Sequence, residues 1–99
     1  MNSSFTKAKI EFAKKIPELA KIFLQFYKVA KIHYYIRIKR KTRPVKLKDV
    51  KKELKDILSR LDLPKSDSFR SWCGGTNLLI EYNIELKEFT VSFIYKKYI

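Results

Sequence analysis

The sequence predicts an α+β fold: a long or kinked N-terminal helix and a shorter second helix, packed on an antiparallel sheet of three or four strands. Hydrophobic residues recur every three or four positions over 5–30 and again over 47–61, which is typical of helices that face a core. They alternate with polar residues over 32–39, 78–86 and 89–95, which is typical of half-buried strands. The chain has 99 residues, 45% of them hydrophobic, so one domain spanning residues 1–99 is expected.

The first helix carries two features beyond its length. Pro17 lies in its middle, where a proline removes a backbone hydrogen bond and clashes with the preceding turn. We therefore expect either a kink near Ile16 or two consecutive helices. The hydrophobic arc of this helix is also wider than one contact face requires, so we expect cover on two sides, with a second copy of the chain as one candidate. The residues that widen the arc are Ile10, Ile22, Leu24 and Val29.

A strand is predicted after this helix, because hydrophobic and polar or basic residues alternate over 32–39. The alternation places Ile38 on the same apolar face as Tyr34 and Ile36. Residues 40–44 are expected to form a basic loop, since the proline at its end disfavours helix at the residue before it. The second helix then begins near Leu47.

The last third of the chain predicts an antiparallel meander. A short strand is expected over 69–73, followed by a turn at 74–77 that contains two glycines. The runs 78–86 and 89–95 are close enough to form a hairpin that turns near Lys87 and Glu88. Their alternation places Leu86 on the same face as Leu78.

Charge is the strongest functional indication in the sequence. The formal net charge is +13, and all of it comes from residues 1–60, since residues 61–99 hold five basic and five acidic residues. Residues 37–60 alone hold eleven basic and three acidic side chains. A field this uneven attracts polyanions, so nucleic acid, an acidic protein or an anionic membrane surface are the natural partners.

The basic segment 37–55 is the predicted binding site, for the phosphate backbone of DNA or RNA. Lysine and arginine supply phosphate contacts whose strength falls with salt. Arginine is suited to bidentate contacts with phosphate or guanine. Tyr35, on the same face of the predicted strand as Arg37, is suited to stacking on a base. The predicted site residues are Arg37, Lys39, Arg40, Lys41, Arg43, Lys48, Lys51, Lys52 and Lys55.

Three other interpretations of the basic and apolar surfaces stay open. The second helix is a candidate recognition helix of a helix-turn-helix motif, although a strand precedes it rather than a helix. The charge is also compatible with a solvated, heat-adapted surface that has no ligand, since eighteen lysines and few thermolabile residues are typical of hyperthermophile proteins. The remaining alternative is a self-associating interaction or structural protein with no nucleic-acid ligand.

Catalysis and metal binding have little support in the sequence, so we expect a protein that is not an enzyme and has no cofactor. Cys73 and His33 are the only cysteine and histidine, too few for a structural zinc site within one chain. No orienting motif surrounds either, so a buried cysteine and a half-exposed histidine are the simpler interpretation. The two glycines at 74–75 lack the lysine of a phosphate-binding loop. Glu81 and Glu85 lie on one strand face, where a solvated pair of charges is the simpler interpretation than acid–base chemistry.

The chain is expected to be intracellular or packaged in a virion, without membrane insertion. Its first residues are polar and lysine-rich rather than typical of a signal peptide, and it has no uninterrupted apolar run of about 18 residues. In its length and its lysine-, isoleucine- and tyrosine-rich composition, visible in segments such as 78–85 and 91–98, it resembles small proteins of filamentous viruses that infect hyperthermophilic archaea, of the lipothrixvirus and rudivirus type. This resemblance implies a viral protein in the host cytoplasm or virion, and it assigns no functional residue.

Overall fold

The computed structural model describes residues 3–61, 68–72 and 78–93. Within these ranges the chain forms two helices and five strands, so the predicted α+β fold is confirmed. The elements in chain order are α1 (Ser3–Ala30), β1 (His33–Ile36), β2 (Lys41–Pro44), α2 (Leu47–Arg60), β3 (Ser68–Trp72), β4 (Leu78–Asn83) and β5 (Glu88–Phe93).

Helix α1 is one continuous helix of 28 residues, with Pro17 inside it, so the expected division into two helices does not occur. At about 1.5 Å per residue it is roughly 42 Å long, which accounts for the 44 Å longest dimension of the molecule. The helix ends where Lys31 adopts φ 54°. The amide of Ile32 then donates to the carbonyl of Tyr27 and that of Lys31 to the carbonyl of Lys28, which is the Schellman arrangement that satisfies terminal carbonyls.

The core lies between the two helices and one face of a three-stranded antiparallel sheet with the order β3-β4-β5. Strand β4 is central and presents Leu78, Ile80 and Tyr82 to the helices, while alternate residues of β5 pack against the same cluster. The helices contribute most of the other buried hydrophobic side chains, since their three- and four-residue spacing keeps them on one face. These helical residues are Phe5, Phe12, Ile16, Ala20, Phe23, Tyr27, Val50, Leu54, Ile57 and Leu58.

The strand predicted at 32–39 does not join this sheet. Strand β1 ends at Ile36 and pairs instead with β2, with Ile36 opposite Lys41 and His33 opposite Pro44. The segment predicted as a basic loop therefore supplies a strand, and the strands are divided between a three-stranded sheet and a separate hairpin. The alternation of residues 32–39 indicated a strand correctly, but alternation alone carries no information on its partner.

Both hairpins turn earlier than the alternation predicts. The β1–β2 hairpin turns over Arg37–Arg40 and the β4–β5 hairpin over Ile84–Lys87, each with four residues between its paired strands. Ile38 and Leu86, which the pattern placed on the apolar faces, are consequently exposed in the turns, at 95% and 66% respectively. The last turn residue has φ 50° in the first hairpin and φ 54° in the second.

Candidate nucleic-acid interface

The basic segment 37–55 extends over three parts of the fold: the turn and second strand of the β1–β2 hairpin, and the outer face of α2. Seven of its nine predicted site residues are exposed. The other two, Arg43 and Lys51, are half-buried, and Lys51 lies at the edge of the helix face. Within residues 3–61, 68–72 and 78–93 none of the eight cations other than Arg43 makes a salt bridge. They are Arg37, Lys39, Arg40 and Lys41 on the hairpin, and Lys48, Lys51, Lys52 and Lys55 on α2.

Arg43 has a different environment from the other predicted site residues. Its two terminal nitrogens each donate to a carboxylate oxygen of Asp49, both at 2.6 Å, and Nη1 also donates to the carbonyl oxygen of Pro44 at 3.1 Å. The guanidinium carbon lies 4.9 Å from the centre of the Tyr34 ring, a cation–π contact. The bidentate fork expected to hold a phosphate or a guanine is therefore occupied within the protein.

Asp49 links the hairpin to the start of α2. The residue is only 4% exposed, and besides Arg43 its carboxylate accepts the backbone N–H of Lys46 at 2.8 Å. That is one half of a capping box; Lys46 has no acceptor group with which to make the other half. Burial alone would raise the pKa of Asp49, but the hydrogen bonds from Arg43 and Lys46 and the nearby positive charges outweigh it and lower that pKa below its ordinary value.

Glu53 lies one helical turn after Asp49 on the same flank of α2 and is also directed inward. Tyr27, buried near the end of α1, donates its hydroxyl to Oε2 of Glu53 at 2.5 Å. Burial raises the pKa of Glu53 above its ordinary value; the hydrogen bond from Tyr27 opposes this rise, while the charges of Asp49 and Asp56 add to it. This contact ties the middle of α2 to α1.

The two inward carboxylates leave little negative charge on the outer surface of residues 37–60. Residues 37–60 contain three acidic side chains, of which Asp49 is buried and Glu53 half-buried, so Asp56 is the one exposed carboxylate in that stretch. The cations on the same stretch point outward, apart from Arg43 and the half-buried Lys51. The nine exposed cations of the stretch are therefore accompanied at the surface by a single exposed carboxylate.

The hairpin has an inner and an outer face. Residues directly opposite each other in an antiparallel pair share a face, so Tyr34 and Arg43 lie together on the side that contacts the core and α2. Tyr35 and Thr42 form a pair on the other side, where both are exposed. Tyr35 was predicted on the polar face of a strand, and it lies on the exposed face of the β1–β2 hairpin with its ring accessible for stacking.

The remaining sequence candidates are separated by the fold. Cys73 and the glycines at 74–75 lie outside the described residues, and His33 is exposed at the start of β1. Glu81 is half-buried within β4, whereas Glu85 is exposed in the following turn, so the two do not share a strand face. Across the described ranges no three histidine, cysteine, aspartate or glutamate side chains lie together as a metal site.

A helix-turn-helix motif is not formed, because the element that precedes α2 is the β1–β2 hairpin rather than a helix. The contacts of Asp49 and Glu53, which attach α2 to the hairpin and to α1, were not predicted from the sequence. A partial signal was present, since an acidic residue three positions after a helix start is typical of capping. The inward direction of Glu53 had no comparable signal.

No protein-family model, curated protein or solved structure matches the chain. Among the described helices, none has the length and apolar character needed to cross a lipid bilayer.

Proposed function

We propose that this protein binds the phosphate backbone of nucleic acid, without catalysis, through the eight cations of the β1–β2 hairpin and α2 other than Arg43. The observation that carries the proposal is the inward direction of Asp49 and Glu53, which leaves Asp56 as the exposed carboxylate of residues 37–60. A surface of unpaired lysines and arginines releases counterions when it contacts phosphates, and that release drives binding.

The Arg43–Asp49 ion pair supports the idea that the two parts of this surface act together. Because Arg43 belongs to β2 and Asp49 to the first turn of α2, the pair connects the hairpin to the helix that carries the remaining lysines. A connected surface contacts phosphates without first ordering the hairpin, which lowers the entropic cost of association.

Binding is expected to depend on charge and shape, with little reading of base sequence. Arg43 is engaged inside the protein, and six of the eight cations are lysines, which contact phosphates as point charges rather than through a planar fork. Phosphate contacts fix position and affinity but carry no sequence information directly. Non-specific binding of a protein of the host cytoplasm or virion would fit the composition-based resemblance to small archaeal viral proteins.

The test is fluorescence anisotropy with labelled duplex DNA, single-stranded DNA and RNA over a range of salt concentrations. For duplex DNA, the logarithm of the binding constant is expected to fall with the logarithm of salt concentration by about 0.9 per phosphate contacted. Changing Lys48, Lys52 and Lys55 to glutamine together should then reduce that slope by about three and weaken binding at every DNA sequence.

The matched control changes the same number of exposed lysines on α1, as Lys7→Gln, Lys14→Gln and Lys21→Gln. These side chains lie outside the proposed surface, so the slope should stay close to that of the unchanged protein while the net charge falls equally. If the two triple variants lost equal amounts of affinity and of salt-dependence slope, binding would depend only on the total charge of the protein. Absence of binding at about 50 mM salt, where phosphate contacts are strongest, would contradict the proposal.

A second candidate function, self-association, is favoured by a specific apolar surface on α1. Ile22, Phe26 and Val29 are exposed at spacings of four and three residues, so they lie on one helix face. Phe26 also stacks on Phe93 of the edge strand β5, with 5.3 Å between the ring centres. Sedimentation over a wide concentration range would detect a dimer, which Ile22→Ser with Val29→Ser should dissociate. A dimer of this kind is compatible with nucleic-acid binding.

A further inference from the structure

Ile38 is the most exposed hydrophobic side chain described, and its surroundings set it apart from an ordinary surface residue. It is 95% exposed at the end of the β1–β2 hairpin. Its neighbours in the turn and the first residue of β2 are all basic and exposed, namely Arg37, Lys39, Arg40 and Lys41. A single isoleucine on a protein surface needs no explanation, but this one has basic residues on both sides of it in the chain.

Folding does not require an isoleucine at this position. Ile32 and Tyr34 pack against the core, and Arg43 bonds to Asp49, so the base of the hairpin is held by contacts that do not involve the turn. Turns favour glycine, asparagine, aspartate, proline or serine for their backbone and hydrogen-bonding properties. The turn at 37–40 contains none of these, and its last residue adopts the left-handed conformation that glycine accepts most readily.

The ligand that fits this arrangement offers phosphates beside an apolar slot. Duplex DNA has both, since phosphates line the two sides of the minor groove and stacked base pairs form its floor. Proteins that deform DNA insert isoleucine, leucine, phenylalanine, methionine or proline between adjacent base pairs from that groove. An anionic membrane offers the same two chemistries, but even a whole myristoyl chain binds membranes only marginally, and one isoleucine has much less apolar surface.

We propose that Ile38 is an apolar wedge that inserts between base pairs in the minor groove of duplex DNA, while Arg37, Lys39, Arg40 and Lys41 contact the phosphates on either side. This inference rests on the proposed function and deepens it, because it assigns the hairpin tip to duplex DNA and adds a deformation to backbone binding. Insertion partly unstacks one base step and kinks the duplex by about 20–90° toward the major groove.

The experiment measures bending and binding separately on one short duplex of roughly 25 base pairs, a length over which smooth bending is costly. Energy transfer between dyes at the two ends reports the bend, and anisotropy of the same duplex reports binding. The full chain should raise the energy transfer on saturation. Ile38→Ser should lose most of that rise while the salt dependence of binding is kept, because every cation remains.

Two further variants make the result specific. Leu86→Ser removes the exposed hydrophobic residue from the turn of the β4–β5 hairpin, where the neighbours Glu85, Lys87 and Glu88 are of mixed charge. This variant should bend DNA as the unchanged protein does. Ile38→Leu keeps an apolar tip and should retain the bend. If Ile38→Leu still bends the duplex and Ile38→Ser does not, the result supports a wedge rather than a role of Ile38 in folding.

Several results would overturn the inference. Binding without any bend, or a bend that survives Ile38→Ser, would contradict the wedge proposal and leave the proposal of backbone binding standing. No binding by any variant removes both proposals. Binding to vesicles containing anionic lipid that is lost in Ile38→Ser, without duplex bending, would replace DNA by a membrane surface as the partner of the tip.

Discussion

The β1–β2 and β4–β5 hairpins have the same turn length but are held in place by different interactions. Both have four residues between paired strands, a basic residue with positive φ at the last turn position, and an exposed hydrophobic side chain in the turn. The β4–β5 hairpin is part of the three-stranded sheet and is held by buried side chains such as Ile80. The β1–β2 hairpin is attached through Tyr34 and the Arg43–Asp49 ion pair.

This difference teaches that the way a hairpin is attached does not by itself set the charge of its surface. The Arg43–Asp49 anchor withdraws one positive and one negative charge from the surface together, so the excess of the other cations is unchanged. Burial of hydrophobic side chains consumes no charge, and the turn at 84–87 with the residue after it has two acidic residues and one basic. The positive surface of the first hairpin therefore comes from the exposed basic residues of its turn and of β2, namely Arg37, Lys39, Arg40 and Lys41.

The largest expected effect is the difference in stability between substitution of a buried isoleucine and substitution of an exposed one. Ile80→Ala should lower the free energy of unfolding by about 2–5 kcal/mol, since it removes a fully buried side chain and leaves a cavity between sheet and helices. Ile38→Ala should change it by no more than about 0.5 kcal/mol, because the exposed side chain loses no packing. Urea denaturation of both variants measures the contrast, and similar losses would show that the hairpin tip is buried in solution.

An intermediate effect is expected at the anchor of the first hairpin. Asp49→Ala should lower the free energy of unfolding by about 1–3 kcal/mol, because Arg43 and the N–H of Lys46 lose a charged acceptor. Hydrogen exchange should increase in β1 and β2 more than in β4 and β5. The control is Asp56→Ala, an exposed carboxylate on the same helix, which should leave both measurements nearly unchanged.

The anchor also predicts a pH dependence with a defined sign. The folded pKa of Asp49 lies below its ordinary value of 3.8, so the folded state binds fewer protons at that carboxyl than the unfolded state does. Its contribution to stability is fully present above the ordinary pKa and is lost as the pH falls through the folded pKa. The stability difference between the unchanged protein and Asp49→Ala should therefore shrink below about pH 4, and a difference that grows there would contradict the ion pair.

The smallest expected effect uses the positive φ that the two turns share. Replacing Arg40 or Lys87 by glycine relieves a left-handed conformation that costs other residues about 1–2 kcal/mol, while glycine adds about 0.5–1 kcal/mol of backbone entropy cost on folding. Each variant should therefore gain up to about 1 kcal/mol in stability, measured by thermal denaturation. Only Arg40→Gly should weaken DNA binding, and equal affinities for the two variants would argue against the hairpin as a contact surface.

Sequence reasoning predicted the helices and strands better than it predicted their partners. The long helix, the second helix beginning at Leu47 and the alternation of β4 and β5 were correct because each is a periodic pattern over many residues. The assignments of Ile38 and Leu86 to apolar faces were wrong because alternation continues past the point where each strand turns. The predicted basic loop at 40–44 was wrong because a short basic strand has no hydrophobic pattern of its own.

The candidate site was partly accessible from the sequence. The concentration of positive charge in residues 37–60 is a property of composition, and it identified the segment without any structure. The role of Arg43 could not be predicted, since its bidentate contact with Asp49 depends on the hairpin folding back on the start of α2. The same holds for Glu53, whose partner Tyr27 is 26 residues away in the chain.

By itself, the sequence determined the class of fold, the positions of the helices and the excess of positive charge, because periodicity and composition are local quantities. Only the tertiary structure decided which strands pair, which hydrophobic residues are left in turns and which carboxylates point inward. Pairing and burial depend on contacts between residues far apart in the chain, and no local pattern records them. The number of lysines and arginines makes the segment positive, and the inward direction of Asp49 and Glu53, which the fold alone decides, leaves Asp56 as its exposed carboxylate.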